Sequence, residues 1–593
     1  MFVSAALFQA LPGGIHRERA AVVRVSWALN LNEATKLPAV ASLRNPNWRH
    51  KSGFCFANRI WLNNKKPALL SGSGCILRSM AKTPSDKLYR LIRGLRPAEK
   101  RYFRLHVRAE SKYLQLFEAM AGSSVFDEAA FIDAVYAGQR PESQKYSELK
   151  AYLYDLILRS LQDYDERQSA DDRLNQLLCN LAVLFKRGYY DDCAEQIAKA
   201  ARLARQYERF TQLLDLIRWE RQLAYVRMDT DFLHRELDRL EQEELQILRR
   251  LEQVIAFRRA FFAMYAAVKI QAGGRDEDRI ARLGALLKLE LFESADKALS
   301  HTAAVLYYRT LNLYHYAAAQ YDAFYDTGSD LLTLMESRPD FLKTTLSDYI
   351  AALSNFILSC GLLGRYDDVR AALSKLRQLR PNTEDDRRKI HRQYYANYFA
   401  LCIYTGDFES GRAEMARCLE ESARFDPEDY ERASFFFQFS CICFGCGDFA
   451  GALQYLNQWL SQPRTVERED LQSLARILSL LFHFELGNQM LLESLLRAAT
   501  RFMQKKNRLF ELERRFIQLF STLMRAPSAR AQLAAFQRIR ADWPALTELP
   551  GASVLLQTFD LDAWVESKIQ GMAFGEIVRR KFELADRLRP RSV

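Results

Sequence analysis

A short signature that recurs along the chain constrains the fold more than any other feature. Each copy has a glycine, any residue, an aromatic residue, two further residues and then a usually small one. The glycine and aromatic pairs are Gly188 and Tyr190, Gly364 and Tyr366, Gly406 and Phe408, and Gly447 and Phe449. A degenerate copy begins at Gly487, so the last four glycines are 42, 41 and 40 residues apart. A spacing of this size is typical of repeat architectures.

Each part of the signature has a physical role in a turn between two helices. A glycine just past a helix end adopts the left-handed backbone conformation without a Cβ clash. The acidic residue that often follows can cap the next helix, the aromatic residue packs between the two helices, and the small residue allows their close approach. Helix-length apolar patterns flank the turns. The sequence therefore predicts antiparallel helix hairpins that repeat about every 40 residues.

These repeats resemble tetratricopeptide-type helical repeats, whose turn has the same Gly-x-aromatic-x-x-Ala pattern. The resemblance is good over 350–500, fair over 171–340 and absent before Met80. It implies an all-α fold, an α-solenoid whose first helices line a groove for a protein or peptide. Some such repeats hold a peptide carboxylate with Lys, Arg and Asn on the first helix. The matching positions have no such residue: Ser354, Leu358, Ala396, Ala400, Phe437 and Cys441.

The part of the chain from Met80 onward also resembles a group of bacterial helical-repeat proteins that brings no activity with it. The shared segments are an opening like LYRLIRGLRPAEKRYFRL and an ending like DAWVESKIQGMAFGEIVRRKF. The ten cysteines follow no regular framework, which indicates reduced thiols. We therefore expect a cytoplasmic protein.

Charge and pattern divide the chain into five segments. Residues 1–79 have eleven of the 85 Lys and Arg but two of the 73 Asp and Glu, and no helical period, so we expect a basic, unstructured leader. Three interpretations of this leader are open. It is a translated stretch upstream of a true start at Met80, or an organelle-targeting peptide, or a native disordered arm. The other segments are a helical N-terminal domain (80–168), irregular helical repeats with a long helix (169–345), the tetratricopeptide-like repeats (346–525) and C-terminal capping helices (526–593).

Three segments allow two interpretations each. The basic helices of 80–168 form either a solvated face of a cap or a helix-turn-helix-like module that contacts DNA; the acidic residues on its last helix favour the cap. The long helix over 228–262 forms either a coiled-coil seam or, as its irregular spacing favours, an intrachain contact. The C-terminal helices either cover the last apolar face of the repeats or dock onto a partner.

No pattern of residues predicts a catalytic site, a cofactor site or a metal site. The eight histidines are dispersed, and the chain has no phosphate-binding glycine loop and no GxSxG motif. Cys441, Cys443 and Cys446 lack further ligands nearby, so we expect them to be buried apolar residues. No run reaches the ~18 apolar residues of a membrane span.

The sequence predicts a binding protein and no enzyme. Tyrosine and arginine often anchor interfaces, and two predicted first helices carry them. The candidate partner-binding residues are Tyr308, Arg309, Asn312, His315, Tyr394, Asn397 and Tyr398. We expect an interaction scaffold with a protein or peptide in its groove. We do not expect nucleic acid as a partner, because residues 80–593 are almost balanced in charge, with 74 basic and 71 acidic residues. The alternative is a transcriptional regulator with a helix-turn-helix-like N-terminal region and a repeat sensor domain.

Overall fold

The computed structural model is all-helical over the residues that it describes, which confirms the predicted all-α class. The described residues are 86–108, 110–138, 143–165, 170–270, 283–285, 287, 290–425, 432–461, 469–505, 511–547 and 559–587. The predicted leader at 1–79 lies outside them. They divide into two compact units, an N-terminal unit that ends before 168 and a larger unit that follows it.

The described residues of the N-terminal unit form five helices: α1 (Lys87–Gly94), α2 (Pro97–His106), α3 (Lys112–Gly122), α4 (Glu128–Tyr136) and α5 (Ser143–Asp165). Pro97 begins α2, where its missing N–H costs nothing. The Glu99 carboxylate accepts the Arg96 backbone N–H at 2.7 Å and closes a capping box. Ile92, Phe103 and Phe117 are buried between these helices.

The larger unit begins with α6 (Ala170–Lys186), α7 (Tyr190–Gln206), α8 (Phe210–Arg227), α9 (Thr230–Ile270), α10 (His301–Ala317), α11 (Tyr321–Glu336), α12 (Pro339–Thr344) and α13 (Leu346–Leu363). It continues with α14 (Tyr366–Gln378), α15 (Glu384–Thr405), α16 (Phe408–Ser422), α17 (Phe436–Gly445), α18 (Phe449–Leu460), α19 (Glu469–Glu485), α20 (Gln489–Lys505), α21 (Glu511–Arg525), α22 (Ala529–Ala541), α23 (Trp543–Thr547), α24 (Leu561–Gln570) and α25 (Phe574–Arg587).

Consecutive helices of the larger unit pack against each other along most of its length. In the central repeats, the helix before a glycine turn also contacts the helix before the next turn, as α13 does with α15 and α15 with α17. The long helix α9 packs on α8 and α10, so the predicted intrachain contact is present.

The signature glycines lie between helices and have left-handed backbone angles. Their φ values are +78° at Gly188, +73° at Gly364, +74° at Gly406, +78° at Gly447 and +70° at Gly487. The small residue also has a clear steric reason in one copy: a Cβ at Gly411 would lie 3.2 Å from Cys402 Cβ on the preceding helix.

The predicted capping role of the acidic residue holds in one copy and fails in another. Asp448 accepts the Gly451 N–H at 2.9 Å. Asp407 occupies the same position before α16, but its side chain makes no cap hydrogen bond. The helix start therefore does not depend on this cap in every repeat.

The C-terminal hairpin does more than cover the last apolar face. Trp564 on α24 is fully buried, with its ring centre 5.8 Å from that of Phe520 and 5.4 Å from that of Phe536. The next helix, α25, then packs back on α15 in the middle of the array. Phe582 lies on Tyr366, with ring centres 4.9 Å apart. This helix thus covers the edge formed by the glycine turns, which the sequence did not predict.

Candidate functional site

The candidate residues on α10 are mainly structural. Asn312 is buried, and its amide donates to the Phe324 carbonyl at 3.0 Å and accepts from Asn355 at 3.3 Å. Arg309 pairs with Asp348 at 3.0 Å and stacks on the Phe261 ring. Tyr308 is half-buried, and the His315 ring bonds to the nearby Gln320 amide at 2.7 Å.

The candidate residues on α15 point between helices. Asn397 is buried and donates to the Gln393 carbonyl at 2.7 Å. Tyr394 and Tyr398 are half-buried and stacked on each other, and the Arg377 guanidinium from α14 lies 4.8 Å from the Tyr394 ring centre. Asn312 and Asn397 were expected to face a partner, but both side chains are buried and their amides bond within the chain.

The helices that were expected to line the groove expose little surface in the central repeats. Among the described residues, α13, α17 and α19 have no exposed residue, and α15 has one, Asp385. A helix without exposed residues offers little surface to a peptide along its length. This burial also explains α13, the one described helix that is long and apolar enough to cross a membrane, since 72% of it is buried inside the protein.

The central cysteines behave as small apolar residues. Cys441 and Cys443 are buried, and burial raises the pKa of each thiol to about 12. A thiol with such a pKa stays protonated and is a poor nucleophile and metal ligand. No group of three or more His, Cys, Asp or Glu residues that could hold a metal occurs within the described ranges.

An exposed apolar surface instead lies at the ends of α6 and α8, and we call it the turn patch. Its five residues are between 37% and 85% exposed: Val183, Tyr189, Tyr225, Val226 and Met228. The helices α6 and α8 run in the same direction because α7 connects them, so their C-terminal turns lie at one end. An ion pair between Arg227 and Asp191 joins these two turns at 2.5 Å.

Met228 gives the turn patch an unusual backbone. Its φ is +54°, a left-handed backbone angle that residues other than glycine rarely adopt. Its side chain is 85% exposed. Glu208 has a similar angle in the preceding turn, but its carboxylate accepts the backbone N–H groups of His301 and Thr302 at 2.8 Å each. The exposed Met228 side chain has no comparable structural role among the described residues.

Acidic and mixed-charge surfaces flank the turn patch. Asp191, Asp192, Asp229 and Asp231 are exposed around the two turns. Two open cavities of about 610 and 300 Å³ lie along α8 and α9, and both are lined mainly by polar and charged residues. In the larger one, Arg221 already pairs with Glu244 at 2.7 Å. Neither cavity has the apolar lining that is typical of a small-molecule site.

The N-terminal unit has a separate basic cluster on α1 and α2. Arg93, Lys100 and Arg104 lie close enough that burial, together with the two guanidinium charges, lowers the pKa of Lys100. Arg104 makes two hydrogen bonds to the Glu118 carboxylate, at 2.6 and 2.8 Å. The outer face of α5, the proposed groove-reading helix, exposes Glu148, Asp155 and Asp163. Repulsion from phosphates makes this helix a poor DNA reader.

The fold and these surfaces define the chain as an all-α protein of packed helix hairpins. No family model, curated protein or solved structure matches it.

The sequence pattern missed the turn patch for a physical reason. Tyr189 occupies the unconstrained second position of the repeat signature, and Tyr225 and Met228 lie in a turn that has no glycine. An apolar residue in a helical pattern is expected to be buried. The available signal was the replacement of the turn glycine by methionine.

Proposed function

We propose that this chain is a cytoplasmic protein-binding scaffold, built as a tetratricopeptide-like α-solenoid, and that it binds its partner at the turn patch. The observation that carries the proposal is the exposed apolar cluster around Met228. Exposed patches of this kind, rimmed by polar residues, mark interaction sites.

The chemistry of the patch favours one type of partner segment. Tyrosine, valine and methionine side chains would contact apolar residues, and methionine adapts its shape easily. Asp191 already pairs with Arg227, and the exposed Asp192, Asp229 and Asp231 would attract Lys or Arg at the edges of that segment. We therefore propose an apolar segment flanked by basic residues as the ligand, and not a peptide along the buried first helices.

Affinity capture with the full chain tests this proposal. Wild-type protein would be compared with a Tyr225→Ser/Met228→Ser variant and with Met490→Ser, a control at another turn, where the side chain is 96% exposed. We expect specific partners to be lost with the turn-patch variant and kept with the control, while both variants retain their melting temperatures. The same set of captured proteins from all three would contradict the proposal.

The basic cluster on α1 and α2 favours a second candidate, a regulator that contacts DNA. Its test is the anisotropy of labelled duplex DNA between about 50 and 200 mM salt, where binding through phosphates weakens steeply. An affinity that falls with salt and is lost in Arg93→Ala/Lys100→Ala would support the regulator. Salt-independent or absent binding would contradict the regulator and favour the protein-binding scaffold.

A further inference from the structure

A second apolar surface runs along the long helix α9. Leu245, Leu248, Ile255 and Phe262 are between 47% and 58% exposed and are spaced three, seven and seven residues apart. The buried residues of the same helix recur every seven positions too: Leu240, Ile247, Val254, Phe261 and Val268. At 100° per residue the two stripes are about 120° apart around the helix. One stripe holds α9 to α8 and α10, and the other faces away from them.

Two charged residues continue the exposed stripe and restrict what it can contact. Glu252 and Arg259 are exposed and fall on the positions between the apolar residues. In a parallel pair of identical helices, equivalent residues face each other, so Glu252 would meet Glu252 and Arg259 would meet Arg259. Like charges at such positions are destabilising.

An antiparallel pair has the opposite electrostatics. When Leu245 lies opposite Phe262 of a second copy, Arg259 of that copy lies opposite Leu248. Glu252 is one turn from Leu248, roughly 6 Å along the axis, so its carboxylate is within reach of that guanidinium. The two-fold symmetry of the pair creates the same contact twice, so Glu252 of each copy can bind Arg259 of the other. In the same arrangement, Leu245 and Phe262 of the two copies cover each other.

We propose that the chain self-associates through α9, as an antiparallel pair in which Glu252 of each copy binds Arg259 of the other. The stripe from 245 to 262 is 18 residues, or about 27 Å of helix. One helix face of this length buries less than the ~800 Å² per partner of a standard interface. The dimer is therefore weak and forms at micromolar or higher concentration.

Light scattering of the full chain after size-exclusion chromatography tests the surface. We expect the mass to rise toward twice that of the monomer up to roughly 100 µM, and Leu248→Glu/Ile255→Glu to remain monomeric. The matched control Leu491→Glu, at a leucine that is 52% exposed on α20, should dimerise like wild type. Wild type that stays monomeric at every concentration would overturn the proposal, and so would loss of the dimer in Tyr225→Ser/Met228→Ser.

A charge exchange tests the antiparallel geometry. Glu252→Arg and Arg259→Glu should each weaken the dimer about tenfold, and the double exchange should restore it, because the pair is complementary again. A double variant that is no stronger than the single variants would overturn this geometry. All three changes are at exposed positions, so unchanged melting temperatures provide the folding control.

Discussion

A Cβ atom on Gly406 would lie 2.7 Å from the backbone nitrogen of Arg579, a residue 173 positions further along the chain. Gly406 is thus needed twice, once for its left-handed angle and once for the close approach of α25. At Gly447 the angle is almost the same, but no atom lies within 4 Å of the Cβ position. A comparison of substitutions at these two glycines therefore distinguishes the cost of the left-handed backbone angle from the cost of packing against α25.

We predict that Gly406→Ala destabilises the protein more than Gly447→Ala. The left-handed angle should cost each variant about 1 kcal/mol, and the clash with α25 adds to the loss at Gly406 alone. Urea unfolding of the two variants measures the difference. Equal losses would mean that α25 does not rest on this turn in solution.

Lys581 joins α25 to the start of α24. Its ammonium lies 3.0 Å from the Asp560 carboxylate and 2.9 Å from that of Asp562. We predict that Lys581→Met costs about 3 kcal/mol, because the partly buried Asp560 carboxylate loses its cation and Asp562 keeps only Arg540, at 2.9 Å. The control is Arg580→Met on the exposed side of α25, which should cost less than about 1 kcal/mol by the same unfolding measurement. A similar cost for both would contradict a special role of Lys581.

His391 should make the protein sensitive to acid. Burial lowers its pKa to about 4, and its Nε2 atom bonds to the Cys418 carbonyl oxygen at 3.1 Å. The neutral ring is favoured in the folded state, so stability is complete above the unfolded pKa of 6.5 and is lost as the pH falls from 6.5 toward 4. We expect a loss of at most about 3 kcal/mol. His391→Gln should remove this dependence in melting curves from pH 7 to 4; an unchanged slope would exclude His391 as its source.

Glu513 should have the opposite effect. Burial raises its pKa to about 7. The protonated form is favoured in the folded state, so stability is lost as the pH rises from about 4.5 to 7. Glu513→Gln should therefore raise the melting temperature at pH 8 and have little effect at pH 4.5. A variant that melts lower at pH 8 would show that the carboxylate has a stabilising role.

Met228 should show a conflict between stability and binding. Met228→Gly relieves the left-handed angle and is expected to stabilise the fold by up to about 1 kcal/mol. The same change removes the most exposed side chain of the turn patch, so partner capture should decrease. A variant that is more stable and binds as well as wild type would show that Met228 is not a contact residue.

The repeat signature predicted local structure well. Gly364, Gly406 and Gly447 each separate two helices, because a left-handed turn is a local property of the backbone that glycine permits. The burial of Cys441 and Cys443 followed from their positions on an apolar helix, whereas Cys446, just past the end of that helix, is only half-buried.

The binding surface could not be predicted in the same way. Asn312 and Asn397 were predicted as contact residues because of their polar side chains and their positions on predicted first helices. Their exposure depends on residues of other helices, such as Phe324 and Asn355, which pack against Asn312. The turn edge was covered by Phe582 and Arg579, which come from a distant segment without any periodic relation to the repeats.

The amino-acid sequence by itself determined the all-helical class and the positions of the glycine turns, since both depend on residues that are close together along the chain. The tertiary structure decided which apolar residues remained exposed. Exposure is set by the return of α25 to the central turns and by the lack of such a cover, among the described helices, over Tyr225 and Met228. Contacts between segments that are far apart in sequence have no local pattern to reveal them.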